Sequence, residues 1–279
     1  MKTFSFRLLS SLFVAAISVI LLSASDCLAQ KRLVAMNRSL KKAGFDVMVV
    51  KNADRNTMGR AIDDFGRKLK SYDVGLFYFS GHGLQVNGIN YLCPLGMSVQ
   101  GQSDVQYEAI DAGKVLAKME DAGNSMNIVI LDACRNNPFK RSFRSMRNGL
   151  AQMDAPTGSF IAFATAPGKT ALDGRGNNSP YVTHMLSNMN SKGLTIEQFF
   201  KKVRQGVIKD TSRKQVPWES SSLVGDFYFS GKGSSSSSSS QASSQSTTTQ
   251  QQQTPPPAPK PRPKPKKNKD EQVMDMLLN

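Results

Sequence analysis

The sequence predicts an α/β sandwich with a mostly parallel sheet. Three apolar runs, at residues 74–80, 127–133 and 159–165, have the length of strands that are buried on both faces. Helical patterns at residues 54–70 and 109–119 precede the first and the second of these runs. Such alternation of strands and helices is typical of a parallel sheet that helices cover on both faces.

The remaining elements of the globular part are predicted from the same periodicities. Further strands are expected at residues 45–50, after Gly44, and at residues 223–229. Further helices are expected at residues 181–189 and 195–208, and a capping box of Thr195 and Gln198 opens the second.

Both ends of the chain differ from this central domain, which we place at residues 30–230. Residues 1–29 have the pattern of a signal peptide, with an early positive charge, an apolar run and a cleavage point after Ala29. A retained membrane anchor is the alternative, but the run is short for a spanning helix. After cleavage, no transmembrane helix is predicted, and we expect a secreted or periplasmic protein. Residues 231–279 are rich in Ser, Gln, Pro and Lys, which predicts a disordered tail.

The formal net charge of +15 favours anionic partners. We predict no nucleic-acid binding, because basic and aromatic residues are not interleaved and no reading motif is present. The Pro/Lys-rich tail is expected to adhere to an anionic surface, to dock a partner or to act as a spacer.

His82 and Cys134 are the candidate catalytic residues. Each directly follows a predicted buried strand, so both fall at the carboxyl edge of the sheet, where active residues gather. A cysteine beside a histidine supplies a thiolate nucleophile and an acid/base. A buried structural cysteine and a hydrogen-bonded turn histidine are the alternatives. The other histidine, His184, lies within a predicted helix and is interpreted as structural.

In an exported chain, Cys134 could instead form a disulfide with Cys93. A free nucleophile explains Cys134 better, since about 50 residues separate the histidine and cysteine of the caspase pattern as well.

Several motifs together resemble one known family. They are Ser80-Gly81-His82-Gly83, the run from Asp132 to Phe139, and shorter stretches at residues 164–168, 171–174 and 217–228. These are similar to the caspase-like cysteine peptidases, peptidase family C14, which include caspases, metacaspases and bacterial homologues. The resemblance implies a caspase-hemoglobinase fold and hydrolysis of peptide bonds in protein or peptide substrates. It also implies a dyad of His82 and Cys134, and an oxyanion hole made by the backbone N–H groups of Gly83 and Cys134.

The resemblance also bears on specificity. In the metacaspase pattern, Asp132 and Ser80 face the substrate pocket, and a desolvated carboxylate pairs well with a guanidinium, which predicts cleavage after Arg or Lys. The alternative is that Asp132 only orders the turn after its strand. The dyad mechanism requires no cofactor and no metal.

The sequence departs from the family at its start. The family's domain opens with an inner strand, and the short stretch between residue 30 and Phe45 leaves that first strand missing or truncated. A lost inner strand would leave backbone groups without partners. The second hypothesis is therefore a catalytically impaired adaptor that binds partners through its cleft and its Pro/Lys-rich tail.

Overall fold

A computed structural model describes residues 17–23, 27–133, 149–174 and 176–231 of this chain, with side chains for Ile20 and for the described residues from Gln30 onward. The described residues belong to one compact unit. Cys134, the tail after Gly231 and most of the predicted signal peptide lie outside them.

Strands and helices alternate along the described residues. In chain order they are β1 (Ile17–Ser23), α1 (Cys27–Lys42), β2 (Asp46–Val50), α2 (Arg55–Leu69), β3 (Val74–Ser80), β4 (Gly83–Val86), β5 (Ile89–Leu92), a 3₁₀ turn (Gln102–Asp104), α3 (Val105–Glu108), β6 (Ile110–Asp111), α4 (Ala112–Asp121), β7 (Met126–Asp132), β8 (Ser159–Phe163), α5 (Pro180–Asn188), α6 (Ile196–Asp210) and β9 (Trp218–Ser221).

The described strands form two sheets. The main sheet has the order β2-β1-β3-β7-β8-β9, and the small sheet has the order β4-β5-β6. All pairs of the main sheet are parallel except β8 with β9, whereas the small sheet is antiparallel. This arrangement confirms the predicted fold class, a mostly parallel α/β/α sandwich.

The inner strands are buried on both faces because helices cover the sheet on two sides. On β3, Leu76 and Tyr78 pack into a core cluster shared with α1, α5 and α6. The alternate residues Phe77 and Phe79 pack into a second cluster shared with α2 and α4. The continuous apolar run of β3 therefore follows from the period of two along a strand between two helical layers.

The last predicted strand differs from the structure. The predicted strand at residues 223–229 is wrong, because the antiparallel edge strand is β9, which precedes it. Phe227 and Phe229 pack against the ring of Phe45 instead, at centroid distances of 6.3 and 6.2 Å. The spacing of two between Phe227 and Phe229 therefore reflects burial of both rings in the core and not pairing in the sheet.

The predicted helix at residues 109–119 begins later than expected. Ile110 belongs to β6, and Asp111 caps α4 by accepting a hydrogen bond from the backbone N–H of Gly113 at 2.7 Å. The capping box at the start of α6 is confirmed, since Thr195 and Gln198 exchange side-chain to backbone hydrogen bonds.

The expectation of a missing first strand is wrong. Residues Ile17–Ser23 form β1, which lies between β2 and β3 and pairs with both in parallel. The apolar residues that suggested an export signal also suit an inner strand, because both need a continuous apolar stretch. The sheet is thereby completed by residues that precede the predicted domain boundary.

Cleavage of a signal peptide and retention of β1 exclude each other. The predicted cleavage point after Ala29 lies inside α1, which begins at Cys27. Cleavage there would remove β1 together with the first residues of that helix. Export of the chain stays a prediction, and the N-terminal residue of the mature protein is the measurement that decides between the two. None of the helices in the described part of the chain has the length and apolar character needed to cross a bilayer.

We predict that Ile20→Asp will abolish cooperative unfolding of the full chain, because it places a carboxylate at a position with 0% exposure in an inner strand. Val34→Asp is the matched control, since Val34 is 41% exposed, and we expect it to change the free energy of unfolding by less than about 0.5 kcal/mol. Urea unfolding followed by circular dichroism measures both. Equal stabilities of the two variants would contradict the position of β1.

Candidate active site

The carboxyl ends of β3 and β7 define the candidate site. The two strands pair in register from Val74 with Met126 to Ser80 with Asp132, so both end at the same point of the sheet. His82 follows Ser80 by two residues, and Cys134 follows Asp132 by two residues. Cys134 lies outside the described residues, but Ala133, which precedes it, is buried at this edge.

The backbone on both sides of His82 is held by hydrogen bonds. The N–H of Gly81 donates to the carbonyl of Asp132 at 3.4 Å, and the N–H of Cys93 donates to the carbonyl of His82 at 3.0 Å. The first bond ties the turn to the end of β7, and the second ties it to the end of β5. The side chain of His82 is partly exposed.

Gly83 lies directly against the residue that precedes Cys134. A Cβ atom at Gly83 would lie 3.1 Å from Cδ2 of Leu150 and 3.2 Å from Cβ of Ala133. Few real Cβ contacts are this short, so glycine allows the turn after β3 to approach the chain after β7. His82 and Gly83, which were predicted from the sequence, follow β3. They therefore lie beside the carboxyl end of β7, the strand that precedes Cys134.

The small sheet also binds the segment that begins at residue 149, through Asn90 and Ala151. The side chain of Asn90 donates to the carbonyl of Ala151 at 2.8 Å and accepts from the N–H of Ala151 at 2.7 Å. Leu150, next to Ala151, is buried and packs against Gly83.

Asp132 and Ser80, the predicted pocket residues, lie side by side in a buried polar group. The hydroxyl groups of Tyr78 and Ser80 donate to Oδ2 of Asp132 at 3.3 and 3.4 Å. Burial and the charge of Asp132 raise the pKa of Tyr78 well above its ordinary value. Tyr78 therefore stays protonated and donates. Sequence reasoning missed Tyr78, although its position two residues before Ser80 places it on the same strand face.

Two further charged residues complete this group. Nη1 of Arg32, in α1, lies 3.7 Å from Oδ2 of Asp132, and Nη2 lies 3.1 Å from Oδ1 of Asp173. Nη2 also donates to the backbone carbonyl of Asp173 at 2.9 Å. Neither residue was predicted as part of the site. Asp173 belonged to the motif at residues 171–174, for which the sequence suggested no chemistry.

Cys93 and His184 lie in structural environments. Cys93 is a free thiol in the core of the small sheet, and burial raises its pKa to about 12. Nε2 of His184 lies 2.7 Å from Oδ2 of Asp210, which links α5 to α6. Gly206 permits this approach, because a Cβ there would overlap the imidazole ring.

Within the described side chains, no three His, Cys, Asp or Glu residues lie close enough together to hold a metal ion. The polar groups that gather at the carboxyl edge of the sheet are His82 and the cluster around Asp132. The described part of the edge thus holds a histidine that follows β3, and β7 beside it leads to Cys134 in the sequence.

Comparison with known families identifies the domain. The caspase domain of peptidase family C14 matches residues 30–250. The chain therefore belongs to the caspase domain family, which is a family of cysteine peptidases. The match begins after β1 and includes both strand ends of the candidate site. No curated protein matches the chain.

We predict that Gly83→Ala will lower the free energy of unfolding by about 1–3 kcal/mol, because the new Cβ must displace Ala133 or Leu150. Gly59→Ala in α2 is the matched control. Its Cβ meets nothing within 4 Å, and alanine favours a helix interior, so we expect equal or higher stability. Thermal unfolding compares the two, and a neutral Gly83→Ala would contradict the close approach.

We predict that iodoacetamide at pH 8 will leave Cys93 unmodified in the native protein and modify it in urea. With a pKa of about 12, its thiol is protonated at this pH, and it is also 5% exposed. Ser103→Cys, at an exposed position, supplies a matched reactive thiol. Peptide mass spectrometry measures both sites. Equal modification of Cys93 and the new cysteine in the native state would contradict the burial.

Proposed function

We propose that this protein is a cysteine endopeptidase in which Cys134 is the nucleophile and His82 is the acid/base. The observation that supports this most is the in-register pairing of β3 and β7, after which both residues follow with the same offset. Membership in a family of cysteine peptidases supports the same assignment.

The proposed reaction has two stages. His82 takes the thiol proton of Cys134, the thiolate sulfur attacks the scissile carbonyl carbon, and His82 passes that proton to the departing amine, which leaves a thioester on the enzyme. Water then attacks the thioester, His82 takes a proton from it, and the acid product leaves with Cys134 restored. The backbone N–H groups of Gly83 and Cys134 are proposed to stabilise the oxyanion in each stage.

The proposed specificity is for Arg or Lys at the residue before the cleaved bond. The buried carboxylate of Asp132 supports this, because a desolvated carboxylate favours a cationic partner. Ser80 and Tyr78 donate hydrogen bonds to the same carboxylate and keep it in place. These contacts come from β3 and α1, and the role of Asp132 in specificity stays a proposal beside its role in ordering the end of β7.

The adaptor hypothesis depends on an incomplete sheet. Because β1 completes the sheet, that reason for impaired catalysis no longer applies. A folded chain that binds peptides without cleaving them would still be an adaptor, and so the test is turnover. Tail binding to an anionic surface or to a docking partner, and export to the periplasm or beyond, remain predictions.

We predict that the full chain under reducing conditions will cleave fluorogenic peptides that end in Arg or Lys, and that Asp-ended peptides will be poor substrates. His82→Ala should lower kcat by about 10²–10⁴-fold, since it removes the acid/base. Cys134→Ala should abolish turnover, and Asp226→Asn, at an exposed position, should leave it unchanged. A folded, monodisperse sample with no turnover would overturn the proposal and favour the adaptor.

A further inference from the structure

Arg32 lies where a cationic substrate side chain is expected to bind. Its side chain is 3% exposed, and Nη1 lies 3.7 Å from Oδ2 of Asp132, whose own side chain is 2% exposed. Ser80 and Tyr78 donate to the same Oδ2 atom. A substrate guanidinium that approaches Asp132 therefore meets a guanidinium of the chain itself.

The contacts of Arg32 are unequal. Nη2 makes two contacts of hydrogen-bond length with Asp173, at 2.9 Å to the carbonyl and 3.1 Å to Oδ1. The 3.7 Å contact with Asp132 is longer than a hydrogen bond. The buried Nε of Arg32 makes no hydrogen bond to any described residue. Arg32 is thus anchored to Asp173 and only faces Asp132.

We propose that Arg32 is a built-in occupant of the specificity pocket, and that it must move away from Asp132 before a substrate Arg or Lys can bind. Asp173 retains Arg32 during this exchange, because its side chain is 44% exposed and has room to move with its partner. The inference rests on the proposed function, in which Asp132 recognises the substrate cation.

Such an occupant lowers the apparent affinity for a cationic ligand without altering the chemistry of the dyad. If Arg32 faces Asp132 about 90% of the time, the apparent dissociation constant rises about tenfold. Arg32 would then raise KM for Arg- and Lys-ended peptides and leave kcat unchanged. Among peptides, it would favour those whose other contacts are strong enough to displace it.

A binding measurement tests this without catalysis. The full chain with Cys134→Ala is titrated with agmatine, which carries the arginine guanidinium on an alkyl chain, by calorimetry. Arg32→Gln should tighten agmatine binding about tenfold. Arg38→Gln is the matched control, because Arg38 is an exposed residue of the same helix. Adding Asp132→Asn to Arg32→Gln should remove the gain, which would locate the ligand at Asp132. Equal affinity of the Arg32→Gln variant and its parent would overturn the proposal.

If Arg32→Gln folds but is too unstable for calorimetry, its thermal unfolding gives the same test. Agmatine should then raise the melting temperature of Arg32→Gln more than that of the parent, since the ligand replaces the missing cation. No such difference would overturn the proposal. Asp173→Asn should weaken agmatine binding, because it removes the anchor to which Arg32 retreats, and tighter binding would contradict that anchor.

Turnover separates this proposal from the proposed function. With Cys134 present, Arg32→Gln should lower KM for an Arg-ended peptide about tenfold with little change in kcat. Cleavage after Arg with an unchanged KM would overturn the role of Arg32 and leave the peptidase assignment intact. Agmatine binding that responds to Arg32→Gln in a chain that cleaves no peptide would overturn the peptidase assignment and support the occupied pocket.

Discussion

The parallel, in-register pairing of β3 with β7 is the constraint on which the rest of this domain depends. Parallel neighbours need a long crossover connection, and here it contains the small sheet and α4. The connection also serves the site, because the N–H of Cys93 at the end of β5 holds the carbonyl of His82. One pairing thus brings together the strand ends before His82 and Cys134, and the residues that join these strands hold the histidine turn in place.

The buried carboxylate of Asp132 joins stability to recognition. An ionised side chain in the core requires hydrogen bonds and a nearby cation, because its desolvation is costly. Tyr78, Ser80 and Arg32 supply these in the free protein. The same negative charge that would attract a substrate cation to Asp132 already faces Arg32 in the free protein. Under the proposed specificity, recognition of a substrate cation at this carboxylate would be an exchange of cations and not the filling of an empty site.

The sequence was sufficient for the layers of the fold and for the strand ends of the site, because buried parallel strands leave a strong signal. Ser80, His82 and Asp132 could be placed from motifs and from the runs that precede them. The contact of Arg32 with Asp132 could not, since it depends on how α1 packs against the sheet and joins residues far apart in the chain. The position of β1 was also missed, because one apolar stretch satisfies the pattern of an export signal and that of an inner strand.

The place of β1 in the sheet has a consequence for the timing of synthesis. Its partner β3 ends at Ser80, so at about 5–20 residues per second the ribosome needs roughly several seconds to make that strand after β1 has been made. During this interval β1 has no partner on one side and is accessible to any factor that binds nascent apolar segments. If this stretch also serves as the predicted export signal, the order of translation sets targeting in competition with folding, and the faster process would determine the compartment in which the chain matures.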